Sequence, residues 1–385
     1  MSQDAAALTA EADRAAATGN LVRAHQLLGR AAEMVGNDPA LWLKFAAVSR
    51  ALRKPLVALA AVHKALEQSP LDFTALLLKA SILTTQEDPA AGEAWAAAIS
   101  QKPEGDLAPP LATALRQGEE VHARWLADRE ARLASATAQV EAEAGEDEQV
   151  RIARFRSNTL RKTRPFHSTP THFSYPGITE REYHPRSRFP WLAELEAATE
   201  TIADELQTVL TAERAELVPY IQYAAHEPLD QWRSLNWNRD WTAIHLFRNG
   251  ERIESNARHC PQTLALLERF GQPHIEGASP NAMFSLLAPH TAIPAHVGYN
   301  NARLVCHLPL VVPPGCWFRV GAETRLWERG RAFVFDDTIE HEAMNPSDDL
   351  RIVLIFDVWH PDLSAAERKA VAALIASEGG AAGGL

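Results

Sequence analysis

Across residues 1–120 the apolar positions return every three to four residues, alanine and leucine dominate, and glycine is scarce after Gly36. This is the periodicity of amphipathic helices. The helical pattern itself recurs. Ala24 returns as Ala58, Ala31 as Ala65, Glu33 as Glu67 and Trp42 as Leu76, each 34 positions on, and the phrase Ala65 to Pro70 returns loosely as Ala98 to Pro103. A period near 34 is that of stacked helix-turn-helix units, in which small residues let paired helices approach and prolines punctuate the turns; a plain helical bundle is the alternative. Residues 114–156 remain helical in pattern but are polar almost all round in places, with Glu119-Glu120, Glu141-Ala142-Glu143 and Glu146-Asp147-Glu148. That predicts a bridging helix or linker.

From Pro165 the chain gains Pro, Gly, Trp, His and Phe, and the pattern changes to short β-like runs between turn residues. One helix is expected from Trp191 to Leu210. Strands are expected over Leu217 to Tyr223, Trp241 to Phe247, Ala282 to Leu287, Arg303 to Val312, Cys316 to Val320, Arg331 to Phe335 and Leu350 to Trp359. Turns lie at Asn249-Gly250, Pro313-Pro314-Gly315 and Asn345-Pro346-Ser347. Many short strands suggest a sandwich or jelly roll. The expectation is an α+β multidomain chain: a helical repeat over 1–120, a helical linker over 121–164 and a β-rich domain over 165–385.

With 385 residues and 46% apolar content, a core of this size is affordable. A formal charge of -11 argues against a nucleic-acid partner, which needs a basic surface; the basic run Arg161-Lys162-Thr163-Arg164 reads as solvated linker. Cys260, Cys306 and Cys316 have neither zinc-ligand spacing nor the number for a disulfide framework, so reduced structural thiols are expected. No basic region followed by an apolar one opens the chain, and no apolar run reaches the ~18 residues of a membrane span. A cytoplasmic setting is the expectation.

A mononuclear iron oxygenase needs few protein ligands, because oxoacid, dioxygen and water fill the remaining positions of an octahedral ion. His296 follows the turn-like stretch Ala288 to Pro294. His341 comes 45 residues later, and Arg351 ten residues after that, on the strand that follows the Asn345-Pro346-Ser347 turn. There its guanidinium suits bidentate binding of a carboxylate. Any one histidine among 15 is otherwise a structural residue, as His290, His307 or His360 can be. Asp336 is open to a plain turn role. Trp232, Trp237 and Trp241, interleaved with Arg233, Asn238, Arg239 and Asp240, suit either the core or the rim of a cleft.

The stretches Ile293-Pro294-Ala295-His296-Val297-Gly298, Asn301 to Leu308, Phe335-Asp336-Asp337-Thr338-Ile339-Glu340-His341-Glu342 and Leu350 to Pro361 together resemble the core of the aspartyl/asparaginyl β-hydroxylase family. Ser285, Glu254 to Ala257, Pro261 to Thr263 and Tyr175 to Ile178 extend the likeness over about half the chain. The N-terminal helices resemble tetratricopeptide repeats, about two and a half to three of them. The resemblance implies a double-stranded β-helix of jelly-roll or cupin type that uses Fe(II), 2-oxoglutarate and O2. It implies His296 and His341 as iron ligands, Arg351 as the carboxylate anchor, and Ser285 and His307 as further 2-oxoglutarate contacts. Gly298 stands where a facial triad carries its carboxylate, and Asp337 matches an outer-sphere aspartate able to hold a water. Val305 departs from the family pattern at a second arginine, and Arg303, two positions away on the same strand face, is the candidate substitute.

The activity so implied is hydroxylation of a side chain, foremost the β-carbon of Asp or Asn in a peptide or carrier-bound substrate recruited by the repeats, with succinate and CO2 as co-products. Two other readings stand beside it. One is hydroxylation of a lipid A acyl chain, disfavoured by the lack of a spanning segment. The other is a non-catalytic repeat-based adaptor, against which His296, His341 and Arg351 together speak.

Overall fold

The computed structural model describes residues 3–212, 217–222, 226, 233 and 235–379. The chain divides into two compact units, residues 1–162 and 163–385.

The first unit is helical: α1 (Gln3–Ala17), α2 (Leu21–Val35), α3 (Pro39–Ala51), α4 (Pro55–Gln68), α5 (Phe73–Thr85), α6 (Ala91–Ser100), α7 (Pro109–Glu143) and α8 (Glu146–Thr159). Consecutive helices pack in pairs, α1 on α2, α3 on α4 and α5 on α6, which makes the unit tetratricopeptide-like. The repeat is written in its joints. Asp38 and Asp72, 34 residues apart, each cap a helix by accepting from the third backbone N–H, of Leu41 and Ala75. Ala24 and Ala58, like Ala31 and Ala65, are fully buried, so the recurring alanines set how closely the helices approach.

Between α6 and α7 the closeness is extreme and reciprocal. A Cβ on Gly92 would stand 2.0 Å from the Trp125 ring, and one on Gly118 would stand 2.1 Å from the Trp95 ring. Trp95 is further tied by its Nε1–H to Thr84 Oγ1 at 2.8 Å. The segment expected as a linker, 121–164, forms the second half of α7 and the returning α8, joined at Gly145. Arg156 there meets Glu141 and Thr137, so this stretch is a helical hairpin inside the first unit.

In the second unit the helix expected over Trp191 to Leu210 is two helices, α9 (Leu192–Ala197) and α10 (Thr199–Leu210), broken at Ala198. They are followed by β1 (Val218–Pro219), β2 (Trp241–Arg248), β3 (Glu251–Arg252), α11 (Glu254–Ala257), α12 (Pro261–Arg269), β4 (Ala282–Leu287), β5 (Thr291–His296) and β6 (Arg303–Val311). Then come β7 (Trp317–Val320), β8 (Glu323–Leu326), β9 (Phe333–Phe335), β10 (His341–Asn345), β11 (Arg351–Trp359) and α13 (Ala365–Ser377). All strand pairs are antiparallel. The larger sheet runs β1-β2-β4-β11-β6-β9 with β3 beside β2, and the smaller runs β5-β10-β7-β8. Tyr223, at the end of the first expected strand, lies outside the described residues.

Alternation along the strands explains the layering. On β6, Leu304, Cys306, Leu308 and Leu310 join the core shared with α9, α10 and α12, whereas Val305 joins the core that Ile293, Phe318, Val320 and Ala343 of the smaller sheet complete. The larger sheet is therefore covered on both faces, which is why β4, β6 and β11 read as nearly unbroken apolar runs. All three cysteines are buried free thiols.

Of the stretch before His296 expected as turn-like, Ala288 to Pro294, Pro289 and His290 do form a turn, whereas Thr291 to Pro294 belong to strand β5. Pro294 misled the reading, but β5 is an edge strand, where a residue without an N–H is tolerated.

The contact of α6 with α7 generates a test. Gly118→Ala should destabilise the protein by about 1–3 kcal/mol, as a methyl forced into a filled core does. Gly29→Ala, whose Cβ would come no nearer than 3.2 Å to any atom, that of the Phe45 ring, should cost much less. Urea denaturation of the full chain followed by far-UV circular dichroism compares them, and equal midpoints would mean that α6 and α7 separate without penalty.

Candidate active site

The pairing of β5 with β10 sets His341 directly opposite His296, and the two imidazole centroids lie 3.9 Å apart. Each ring is oriented in the same way. His296 Nδ1 lies 2.7 Å from Pro294 O and His341 Nδ1 lies 3.0 Å from Ile339 O. A carbonyl only accepts, so Nδ1 carries the proton in both rings and Nε2 carries the lone pair. Burial pushes His296 well below the usual imidazole range, with neighbouring His341 adding to the shift, and it pushes His341 to about 4. Both are thus neutral near pH 7, the state in which imidazole binds a metal.

Gly298, two residues beyond His296, has no room for a side chain. A Cβ there would lie 2.1 Å from Asp337 Oδ2 and 2.4 Å from its Cγ, so the Asp337 carboxylate takes up the space that a residue at 298 would fill. Gly298 N–H donates to Asp337 O at 2.7 Å, which fastens the two loops together. Asp337 is buried, and its pKa is raised by burial against the opposing pull of Arg303. Arg303 Nη2 stands 3.1 Å from Asp337 Oδ2 with both residues nearly inaccessible. The pair is at ionic distance but poorly aligned, since neither Arg303 Nη atom has a hydrogen-bond partner among the described residues.

Arg351, at the start of β11, is 2% exposed. Burial lowers its pKa to about 10, so it stays a cation near pH 7, and it has no anionic partner among the described residues. It rests 4.9 Å above the Trp327 ring, and its Nη1 reaches Ser285 Oγ and O only at 3.5 Å. Ser285 Oγ accepts from Trp241 Nε1 at 3.0 Å, leaving its own proton to donate. His307 stacks on Trp327 at 5.4 Å. Burial, then Arg351, hold it well below its usual pKa, and its buried Nδ1 has no partner among the described residues.

The structure therefore gathers His296, His341, Ser285, His307, Arg303, Asp337 and Arg351 on the facing sides of the two sheets. A buried cation lacking a counter-charge, an unsatisfied imidazole nitrogen and a hydroxyl fit one small carboxylate; two neutral imidazoles fit a metal ion. Among the described residues no set of three His, Cys, Asp or Glu side chains forms a metal group.

Other candidates fall outside the site. Asp336 is a turn residue, accepting from the N–H and hydroxyl of Thr338, and its pKa is raised to about 7 by burial. His290 is an exposed partner of Asp348, and buried His360 lies against Thr179 O. Trp241 is core, stacked 3.9 Å from Tyr220, whereas Trp237 is largely exposed and Trp232 lies outside the described residues. Sequence reasoning missed Trp327, which floors both Arg351 and His307. Nothing local marks it.

The second unit is an antiparallel two-sheet domain that places a neutral histidine pair and a buried arginine, without an anionic partner among the described residues, between its sheets. Residues 196–361 match the family model for aspartyl/asparaginyl beta-hydroxylase. Human aspartyl/asparaginyl beta-hydroxylase is 32% identical over 187 residues, 48% of this chain and 24% of that protein. Human aspartate beta-hydroxylase domain-containing protein 2 is 38% identical over 135 residues, 34% of this chain and 37% of that protein. The chain thus spans well under half the length of these relatives. Among solved structures, the Sgt2 TPR domain from Aspergillus fumigatus superimposes with a TM-score of 0.28 and 18% identity, over 31% of this chain and 79% of that one. The match to the hydroxylase family model lies within the second unit.

Gly298→Ala should destabilise the protein by about 1–3 kcal/mol through its clash with Asp337. Combining it with Asp337→Ala should recover part of that loss, because the offending carboxylate is gone. A double-mutant cycle on thermal melts reads the coupling, and additive effects would show that Asp337 does not occupy the space beside Gly298.

Proposed function

We propose that the protein is an Fe(II)- and 2-oxoglutarate-dependent dioxygenase that hydroxylates a side chain, most specifically the β-carbon of Asp or Asn in a peptide or carrier-bound substrate. The observation that carries this reading is that the two neutral histidines share the facing sides of the two sheets with a buried arginine that has no anionic partner among the described residues. An uncompensated buried cation costs several kcal/mol, and a ligand carboxylate offsets it. The two facing antiparallel sheets are, in this reading, a double-stranded β-helix of jelly-roll type.

His296 and His341 would hold the iron through Nε2, their Nδ1–H donors fixing the rings. Arg351 would clamp the distal carboxylate of 2-oxoglutarate, with Ser285 donating its hydroxyl proton and His307 flanking it. Asp337, in the space beside Gly298, would hold a water rather than bind the metal directly, and Arg303 keeps it oriented. Val305, small and apolar, leaves Arg351 as the principal anchor. The aromatic wall of Phe318, Phe335 and Trp241 excludes water from the site. Bound iron with 2-oxoglutarate and O2 supplies the oxidation, yielding succinate, CO2 and a hydroxylated product. The tetratricopeptide-like unit contributes substrate recruitment, since stacked helical repeats present extended binding surfaces.

The test is succinate release by the purified protein with Fe(II) and 2-oxoglutarate, together with mass spectrometry for a gain of one oxygen on candidate peptides. His296→Ala or His341→Ala should abolish turnover in a folded protein; undiminished turnover in either would sink the iron assignment. Arg351→Lys should raise the 2-oxoglutarate KM by the equivalent of about 1.5–3 kcal/mol, because a point charge cannot reproduce a bidentate clamp. An unchanged KM in Arg351→Met would move the anchor to Arg303.

A further inference from the structure

We propose that residues 168–175 form a positioning strap that ties together the loop following His296 and the loop preceding His341 and so sets the metal affinity of the His296/His341 pair; the inference rests on the metal-site reading above. The strap precedes the segment that matches the hydroxylase family.

The stretch has no regular secondary structure, and none of its residues is buried. Hydrophobic packing alone therefore does not hold it in place, and the question is where its backbone donors go. Ser168 N–H donates to Glu180 Oε2 at 3.2 Å, and five others reach the two loops. Thr169 N–H donates to Thr338 O at 2.8 Å, three residues before His341. Thr171 N–H donates to Gly298 O at 3.0 Å, two residues after His296. His172 and Phe173 N–H both donate to Tyr299 O, at 3.1 and 3.2 Å. Tyr175 N–H donates to Asn301 Oδ1 at 2.6 Å, and Asn301 Nδ2 returns a bond to Tyr175 O at 3.0 Å.

Side chains reinforce the ladder. Ser168 Oγ and Thr338 Oγ1 lie 2.7 Å apart. Because Thr338 Oγ1 donates to the Asp336 carboxylate, it accepts from Ser168, so the strap feeds a hydroxyl chain ending on a buried acid. The rings of His172 and Phe173 both lie against Tyr299, at 4.7 and 5.3 Å. One continuous segment thus bonds to residues flanking each histidine on the side away from their shared strand pairing. Outer groups that orient metal ligands commonly govern affinity more than tenfold.

Mn2+ titration of the full-length protein without 2-oxoglutarate, read by the electron paramagnetic resonance of free Mn2+, tests this. Thr171→Pro deletes the N–H that bonds Gly298 and should weaken Mn2+ binding about tenfold. Thr171→Ala keeps that N–H and should bind as the parent does, and Ser168→Ala should weaken binding about fivefold, the worth of one net hydrogen bond. The visible spectrum of the Co2+-loaded protein should change in Thr171→Pro and not in Thr171→Ala, a distinction that a general loss of stability would not produce. Thermal melts of the metal-free proteins check folding, and should Thr171→Pro fail to fold, Ser168→Ala decides. Parental Mn2+ affinity in the folded Pro and Ser168→Ala variants overturns the strap. A parent that binds no Mn2+ overturns the metal reading itself, and the strap with it.

Discussion

The register between β5 and β10 is the constraint on which the rest of the second unit depends. Side chains alternate across a strand, so a slip by one residue would turn one imidazole to the opposite face and separate the pair. The register is held from several directions. Gly298 and Asp337 are bonded through backbone and fill each other's space, and the pairing becomes irregular just after His341, re-aiming the strand beyond it. β10 is also clamped by β7, where His341 faces Val320. The histidines are thereby fixed by backbone pairing before any ligand contributes.

The charges around this pair separate into balanced and unbalanced sets. Asp357 is fully buried, yet it receives Ser279 Oγ at 2.8 Å and Asn281 N at 3.0 Å, and Arg303 acts favourably on both its carboxylate and that of Asp337. Among the described residues Arg351 has an aromatic face and two long contacts. Exposed ion pairs such as Arg23 with Glu11 contribute roughly 0–1 kcal/mol, whereas an unpaired buried charge costs several. An arginine kept in that position weakens the fold, and in the proposed function a ligand carboxylate would offset that cost.

The first unit follows a different economy. Its helices approach through alanine and glycine, and the tightest approach, of α6 on α7, interlocks two glycines with two tryptophans. Its polar contacts are largely at the surface, as with Lys44 and Asp13. Precision there lies in shape, and in the second unit it lies in the placement of a few buried polar atoms.

Much of this was legible along the chain, because local periodicity reports which face of an element is buried. The alanines repeating at 34 mark helix contacts, the apolar runs mark strands covered on both faces, and the order His296, His341, Arg351 places the chemistry. The start of α13 also has a local signature, since Ser364 and Glu367 form a capping box. Other features had no local signature. β5 and β10 are short and of mixed polarity, and β5 is interrupted by proline; they are strands because partners distant in sequence complete their hydrogen bonds. That Arg303 is matched by Asp337 while Arg351 is not, that Trp327 lies beneath the site, and that residues 168–175 span both loops are decided by which side chains the two sheets bring together. Sequence by itself determined which residues carry the candidate chemistry and which faces they share. Only the tertiary structure decided which charges are compensated, because burial and pairing are properties of contacts between segments far apart along the chain.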